Sequence, residues 1–78
     1  MNDSAARPLD ALNVVRGKNV IVELKNHKQL VGKLRSFDIH INVVLEDCQE
    51  MEGGAVTRKL GVVFIRGDTI VVLSPSAV

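Results

Sequence analysis

Two runs near the end of the chain, Leu60-Gly61-Val62-Val63-Phe64-Ile65 and Thr69-Ile70-Val71-Val72-Leu73, constrain its fold more than any other feature. Both read as strands, yet neither alternates apolar with polar residues, so each wants both faces buried. A chain of 78 residues holds one small domain, and one small sheet cannot bury both faces of its terminal strands. Left bare, flat apolar edges of this kind aggregate. If each instead pairs with its counterpart on a neighbouring copy, the contact is head to tail and either closes into a ring or runs on as a fibre. A closed ring of like subunits is the economical expectation.

Other ways of stabilising so short a chain fall away. Cys48 is the only cysteine, which excludes an internal disulfide and suits a reducing, intracellular compartment. His27, His40 and Cys48 lack the paired spacing of a structural zinc site, and no cofactor or metal is expected. No apolar run approaches the ~18 residues of a membrane span, and the polar, acidic start does not read as a secretion signal. The expected setting is the cytoplasm. A net charge of +1 and 3% aromatic residues leave no nucleic-acid footprint in the bulk composition. Ser-His-Asp, Cys-His, paired-carboxylate and Gly-rich phosphate-cradling patterns are all missing, so an enzyme is not expected.

Residues 1–6 read as a disordered tail, with the folded unit over 7–76. Pro8 suits the first turn of a helix, where its missing N–H costs nothing. Leu9, Leu12 and Val15 recur at helical spacing and Gly17 is placed to stop the element, giving a helix over about 8–16. From Asn19 the period drops to two, with Val20, Val22 and Leu24 on one face. Asn26-His27 makes a hairpin turn into a second strand, Gln29 to Phe37, with Leu30, Gly32 and Leu34 together. Gly32 inside a strand marks a sharp bend or close backbone crossing, which small barrels need in order to close. Asp38 to His40 form a short connection, Ile41 to Met51 a third strand, and Glu52-Gly53-Gly54 the clearest turn. Val56 to Ile65 and Thr69 to Ser74 complete the set, with Pro75 as the stop. The expected fold class is mainly β: one short N-terminal helix and five antiparallel strands in a small, closed or nearly closed barrel.

Two clusters fall where strands end: Ser36-Phe37-Asp38-Ile39-His40-Ile41-Asn42 and Ile65-Arg66-Gly67-Asp68. Through them the chain resembles the Sm and Sm-like (LSm) family, most closely its archaeal members. The first Sm motif, about 18–51, carries Leu24, Asn26, Gly32, Asp38, Asn42 and Val43-Val44-Leu45. The second, about 60–75, runs from Ile65-Arg66-Gly67-Asp68 to Pro75, where bacterial Hfq carries a different sequence. Arg7-Pro8-Leu9-Asp10 also has the archaeal pattern. The resemblance implies a strongly bent, five-stranded Sm-type (SH3-like) barrel capped by a helix. It implies a homo-oligomeric ring, most simply of seven subunits, with the fourth strand of one subunit paired to the fifth of the next. It implies oligouridine bound around the central pore. Carried onto this sequence, His40 and Arg66 sandwich the base, Asn42 bonds the uracil edge, Asp38 holds the Asn42 amide, and the backbone near Gly67 and Asp68 completes the contact. Archaeal relatives further imply a secondary RNA site at Arg7 and Phe37 on the helix-bearing face, where some have tyrosine in place of Phe37. The implied partners are uridine-rich single-stranded RNA, further copies of the chain, and paralogues or RNA-processing proteins.

Elementary chemistry suits these roles. Single-stranded RNA is read by splaying bases onto aromatic or guanidinium planes and bonding their edges. Stacking is worth about 1–3 kcal/mol per base and hardly discriminates. Discrimination then falls to a group that both donates and accepts, as an amide does. Uracil offers N3–H and O4; cytosine presents the reverse pair. Gly67 permits close backbone approach. Taken singly, each residue has a plainer reading. His40 serves as a turn histidine, Asp38 and Asn42 make local bonds to backbone, Arg66 pairs with Asp68 or Asp38, and Phe37 joins the core. Lys25, His27, Lys28, Lys33 and Arg35 read as a solvated basic stretch, and Cys48 as a small packed residue. The rival function is a structural or protein-interaction ring with no base-specific RNA binding.

Overall fold

The computed structural model describes residues 7–76, so the expected tail at residues 1–6 lies outside the described residues. Pro8 opens helix α1 (Pro8–Val15), with Arg7 extended at its N-cap. Leu12 is buried, and Leu9 and Val15 pack beside it against the core. Arg16 already has extended backbone, so the helix stops one residue before the expected end. Gly17 turns the chain with φ +82°, and its N–H donates to the Leu34 carbonyl at 2.7 Å. The helix end is thereby fastened to the sheet.

Five strands follow: β1 (Asn19–Leu24), β2 (Gln29–Phe37), β3 (Val43–Glu52), β4 (Ala55–Ile65) and β5 (Ile70–Pro75), with a 3₁₀ turn at Gly67–Thr69 before the last. They form one antiparallel sheet in the order β4-β3-β2-β1-β5. The period-two reading of β1 and β2 holds: Val20, Val22, Leu30 and Leu34 all face the core. Gly32 marks a backbone crossing. A Cβ there would lie 2.9 Å from the Glu46 carbonyl oxygen and 3.1 Å from the Cys48 Cα, closer than a packed interior allows. The bend continues across the sheet, since Asp47 in β3 and Gly61 in β4 have positive φ and the β2–β3 and β3–β4 registers shift beside them. Bulges of this sort raise local twist and let a small sheet curl into a barrel.

The core comprises Leu12, Val20, Val22, Leu30, Leu34, Val43, Leu45, Cys48 and Ile65. Cys48 is packed there, and burial pushes its thiol pKa up, which makes it a small apolar filler. β4 and β5 end the sheet, each paired on one side only. Val62, Phe64, Val71 and Val72 stand exposed on them, Phe64 at 80%.

Several expected boundaries shift by a residue or two, most at the third strand. The third strand begins at Val43, not Ile41, because Ile41 and Asn42 are drawn into the β2–β3 loop. Ile41 sits at φ +61°, in the left-handed region that β-branched residues avoid. Its N–H donates to the Asp38 carbonyl at 3.0 Å and its side chain packs on the core, which together offset a strain of about 1–3 kcal/mol.

Candidate nucleic-acid interface

Two loops meet at one place. In the first, residues 38–42, Asp38 acts as a hub. Its Oδ1 accepts the backbone N–H of His40 at 2.8 Å and of Asn42 at 3.1 Å, while its Oδ2 accepts the Asn42 side-chain Nδ2–H at 3.0 Å. The Asp38 N–H in turn donates to the Asn42 carbonyl at 3.1 Å. Short acidic side chains close turns in this way. The Asn42 amide above all holds the Asp38 carboxyl below the usual carboxylate range; desolvation, the next effect in size, opposes it, and the backbone N–H groups of His40 and Asn42 add smaller lowering contributions.

The second loop, Arg66 to Thr69, is closed by Thr69, whose N–H and hydroxyl both donate to the Arg66 carbonyl, at 3.0 and 2.7 Å. The Lys25 N–H reaches across to the Thr69 carbonyl at 2.8 Å and ties the β1–β2 turn to this loop. The Arg66 guanidinium pairs with Asp68 at 3.1 Å, both side chains being mostly exposed. Such a contact is worth under about 1 kcal/mol, so Arg66 is held in place yet easily recruited elsewhere.

The loops are joined through a single side chain. The Gly67 N–H donates to Asn42 Oδ1 at 2.8 Å. A Cβ on residue 67 would fall onto the His40 carbonyl oxygen and 2.8 Å from the Ile41 carbonyl carbon, so only glycine allows this approach. Asn42 is therefore pinned at both ends: its NH₂ gives to a carboxylate that can only accept, and its oxygen takes from an N–H that can only donate. Rotating the amide by half a turn would oppose donor to donor and acceptor to acceptor. One N–H and one oxygen lone pair remain free, with the nitrogen and oxygen ends of the amide fixed in order.

His40, Ile41, Asn42, Arg66, Gly67, Asp68 and Ile70 line one open cleft of about 620 Å³. Five of the residues named from the sequence (His40, Asn42, Arg66, Gly67, Asp68) are thus brought together, with Asp38 acting on the cleft through Asn42. The His40 side chain makes no hydrogen bond among the described residues. Among the described residues, Arg7 makes no ring contact with Phe37. Arg7 reaches Asp10 at 3.6 Å, while the guanidinium over the Phe37 ring, 5.2 Å from its centroid, belongs to Arg16. Phe37 lines a second cleft of about 370 Å³ that borders the first at Asn42 and Arg66. Ile41 and Ile70 also line the cleft; in the sequence they read as strand residues, and nothing there sets them apart from others.

A helix-capped, sharply bent five-stranded sheet whose loops clasp one amide defines a small barrel of the Sm type. Residues 10–75 match the LSM domain, and the chain belongs to that family. It is 50% identical to an snRNP Sm-like protein of Archaeoglobus fulgidus over 70 residues, covering 90% of this chain and 91% of that one. It is 46% identical to an snRNP Sm-like protein of Methanosarcina barkeri, over 91% and 99% of the two chains. Among solved structures, it superposes on a Pyrococcus abyssi Sm protein in complex with a uridine heptamer, with a TM-score of 0.85 and 40% identity over 90% and 99% of the chains. It also superposes on a heptameric archaeal Sm protein, with a TM-score of 0.79 and 39% identity over 85% and 96%.

Proposed function

We propose that this chain assembles head to tail through β4 and β5 into a ring, most simply of seven, and binds uridine-rich single-stranded RNA at the opening. The observation that carries the reading is the doubly pinned Asn42 amide. Its free N–H and free lone pair meet uracil O4 and N3–H. Cytosine, with the reverse order, finds no match unless the amide rotates and gives up both anchoring bonds, at about 0.5–1.5 kcal/mol each. His40 and Arg66 enclose the base from either side, and Arg66 exchanges its weak pair with Asp68 for stacking. The backbone of Gly67 and Asp68 closes the end of the slot. Repetition around a ring gathers Arg66 charges at one opening and multiplies weak sites through effective concentration, which is how a chain of net charge +1 holds a polyanion.

The related heptamer and the related uridine complex support this reading. The role is non-catalytic, in RNA processing or chaperoning, and the setting is the cytoplasm. A ring that only scaffolds proteins has no use for an amide fixed in one orientation. Fluorescence anisotropy at constant salt tests the point. Oligouridine should bind at least tenfold more tightly than oligocytidine, and Asn42→Ala should abolish that preference while leaving the ring intact. Equal affinity of the wild-type protein for both would overturn base-specific binding.

A further inference from the structure

The charges of the proposed uridine slot come as a matched pair. Apart from the His40 imidazole, the ionisable side chains that line the cleft are Arg66 and Asp68. They meet at 3.1 Å, and each stays mostly exposed, at 81% and 63%. Asp68 has that one side-chain partner among the described residues. No other carboxylate competes for Arg66. Asp38 is turned into its own loop, where its two oxygens accept three N–H groups. The turn itself keeps the pair together, because the N–H and hydroxyl of Thr69 both hold the Arg66 carbonyl and close the segment that carries Asp68. The Thr69 carbonyl is fixed in turn by the Lys25 N–H, at 2.8 Å. Each Arg66 brought to an opening therefore arrives with a carboxylate, and a phosphate that approaches the guanidinium meets both charges.

We infer that the Asp68 carboxylate is a selectivity residue of the slot: it holds down binding through phosphates and leaves the base to decide which strand is kept. This rests on the proposed uridine slot and names what keeps it selective. An arginine alone at an opening attracts any polyanion, and that attraction carries no sequence information. Asp68 offsets it in two ways. It occupies the guanidinium while the slot is empty, and it repels phosphates once Arg66 turns onto a base. A strand must then recover both losses from contacts with its bases. Uracil does so, because it stacks and also matches the free N–H and lone pair of Asn42. Cytosine stacks as well but gains nothing at the Asn42 amide, so its stacking does not overcome the Asp68 charge. Asn42 supplies the attractive half of the discrimination and Asp68 the repulsive half, a division that specific interfaces use widely.

The test compares the wild-type ring with Asp68→Asn and Asp68→Glu variants, all checked for native mass. The first change keeps the shape and an oxygen that accepts from Arg66 but removes the charge; the second keeps the charge. Affinities for heptauridine and heptacytidine are measured by anisotropy across a salt series. Asp68→Asn should bind heptacytidine about tenfold more tightly than the wild type does, since small gains at several subunits combine along one strand. Heptauridine should gain by a smaller factor, so the preference for uridine narrows. The slope of log affinity against log salt on heptacytidine should steepen by about 0.7 for each phosphate newly engaged. Asp68→Glu should keep the wild-type preference. Unchanged heptacytidine affinity and slope in Asp68→Asn would overturn the inference, and so would an equal gain on both probes. A loss on both would make Asp68 a clamp that positions Arg66 and overturn it too. Each of these failures leaves the wild-type preference for uridine intact, whereas equal wild-type affinity for the two probes would overturn the slot itself and the inference with it.

Discussion

The three central strands and the two outer ones draw on the same residue types, and they differ in who supplies their neighbours. Each of β1, β2 and β3 is paired on both sides, and Val20, Val22, Leu34 and Leu45 are wholly buried. On β4 and β5 one edge is open, and Val62, Phe64, Val71 and Val72 are about half exposed or more. Apolar content thus reports the demand for burial, while topology reports whether one chain can meet it. The central strands make the subunit. The outer strands leave it with open edges, and the proposed ring would answer that need, because a head-to-tail contact that closes leaves no edge behind.

The largest effect is expected at the open edges. Replacing Phe64 and Val71 together by Asp removes two apolar groups, each worth about 1.5–3 kcal/mol when buried, from every seam at once. Native mass spectrometry should show single chains, and a surviving ring would move the seam elsewhere. Next comes the core. Leu34→Ala should lower unfolding free energy by about 2–5 kcal/mol in a denaturant titration. Val62→Ala, measured on the dissociated edge variant, should stay within about 0.5 kcal/mol; similar costs at the two positions would erase the contrast.

The loops give smaller changes. Gly67→Ala should cost about 1–3 kcal/mol, because a methyl group must displace the His40–Ile41 backbone. NMR would register it as loss of the distinct Asn42 side-chain amide signals. The smallest effect is with pH. The Asp38 carboxyl is held below its ordinary value of about 3.9 by bonds it makes only when folded. Its contribution is therefore complete above that value and fades as pH falls through the lower, folded-state value. Hydrogen exchange at Gly67 should show no loss of protection between about pH 7 and 5, and loss should set in below about pH 4; a loss already at pH 5 would show that another group carries the clasp.

Most of the fold was legible in the chain because its periods are clean. Val20 and Val22 alternate, Leu9, Leu12 and Val15 recur at helical spacing, and the β2 limits Gln29 and Phe37 agree with the structure. The start of β3 was not, since Ile41 leads into the apolar run Val43-Val44-Leu45 like a strand residue. Only the pull of Asp38 and the core on Ile41 draws it into the loop. The candidate site was legible as residue types but not as geometry. Asn42 and Gly67 are 25 residues apart, and no local pattern tells that a glycine N–H will fix the amide's orientation. Arg16 over Phe37 was hidden for the same reason.

By itself the sequence determined which segments are strands, which faces want burial, and that the last two cannot be satisfied within one chain. Those are properties of local period and composition, set before any tertiary contact forms. The tertiary structure alone decided which groups touch across the two loops, and hence that Asn42 has one fixed orientation. The reason is geometric: hydrogen bonds and charge act through space over a few ångströms, and only the curled sheet brings positions so far apart in the chain within that reach.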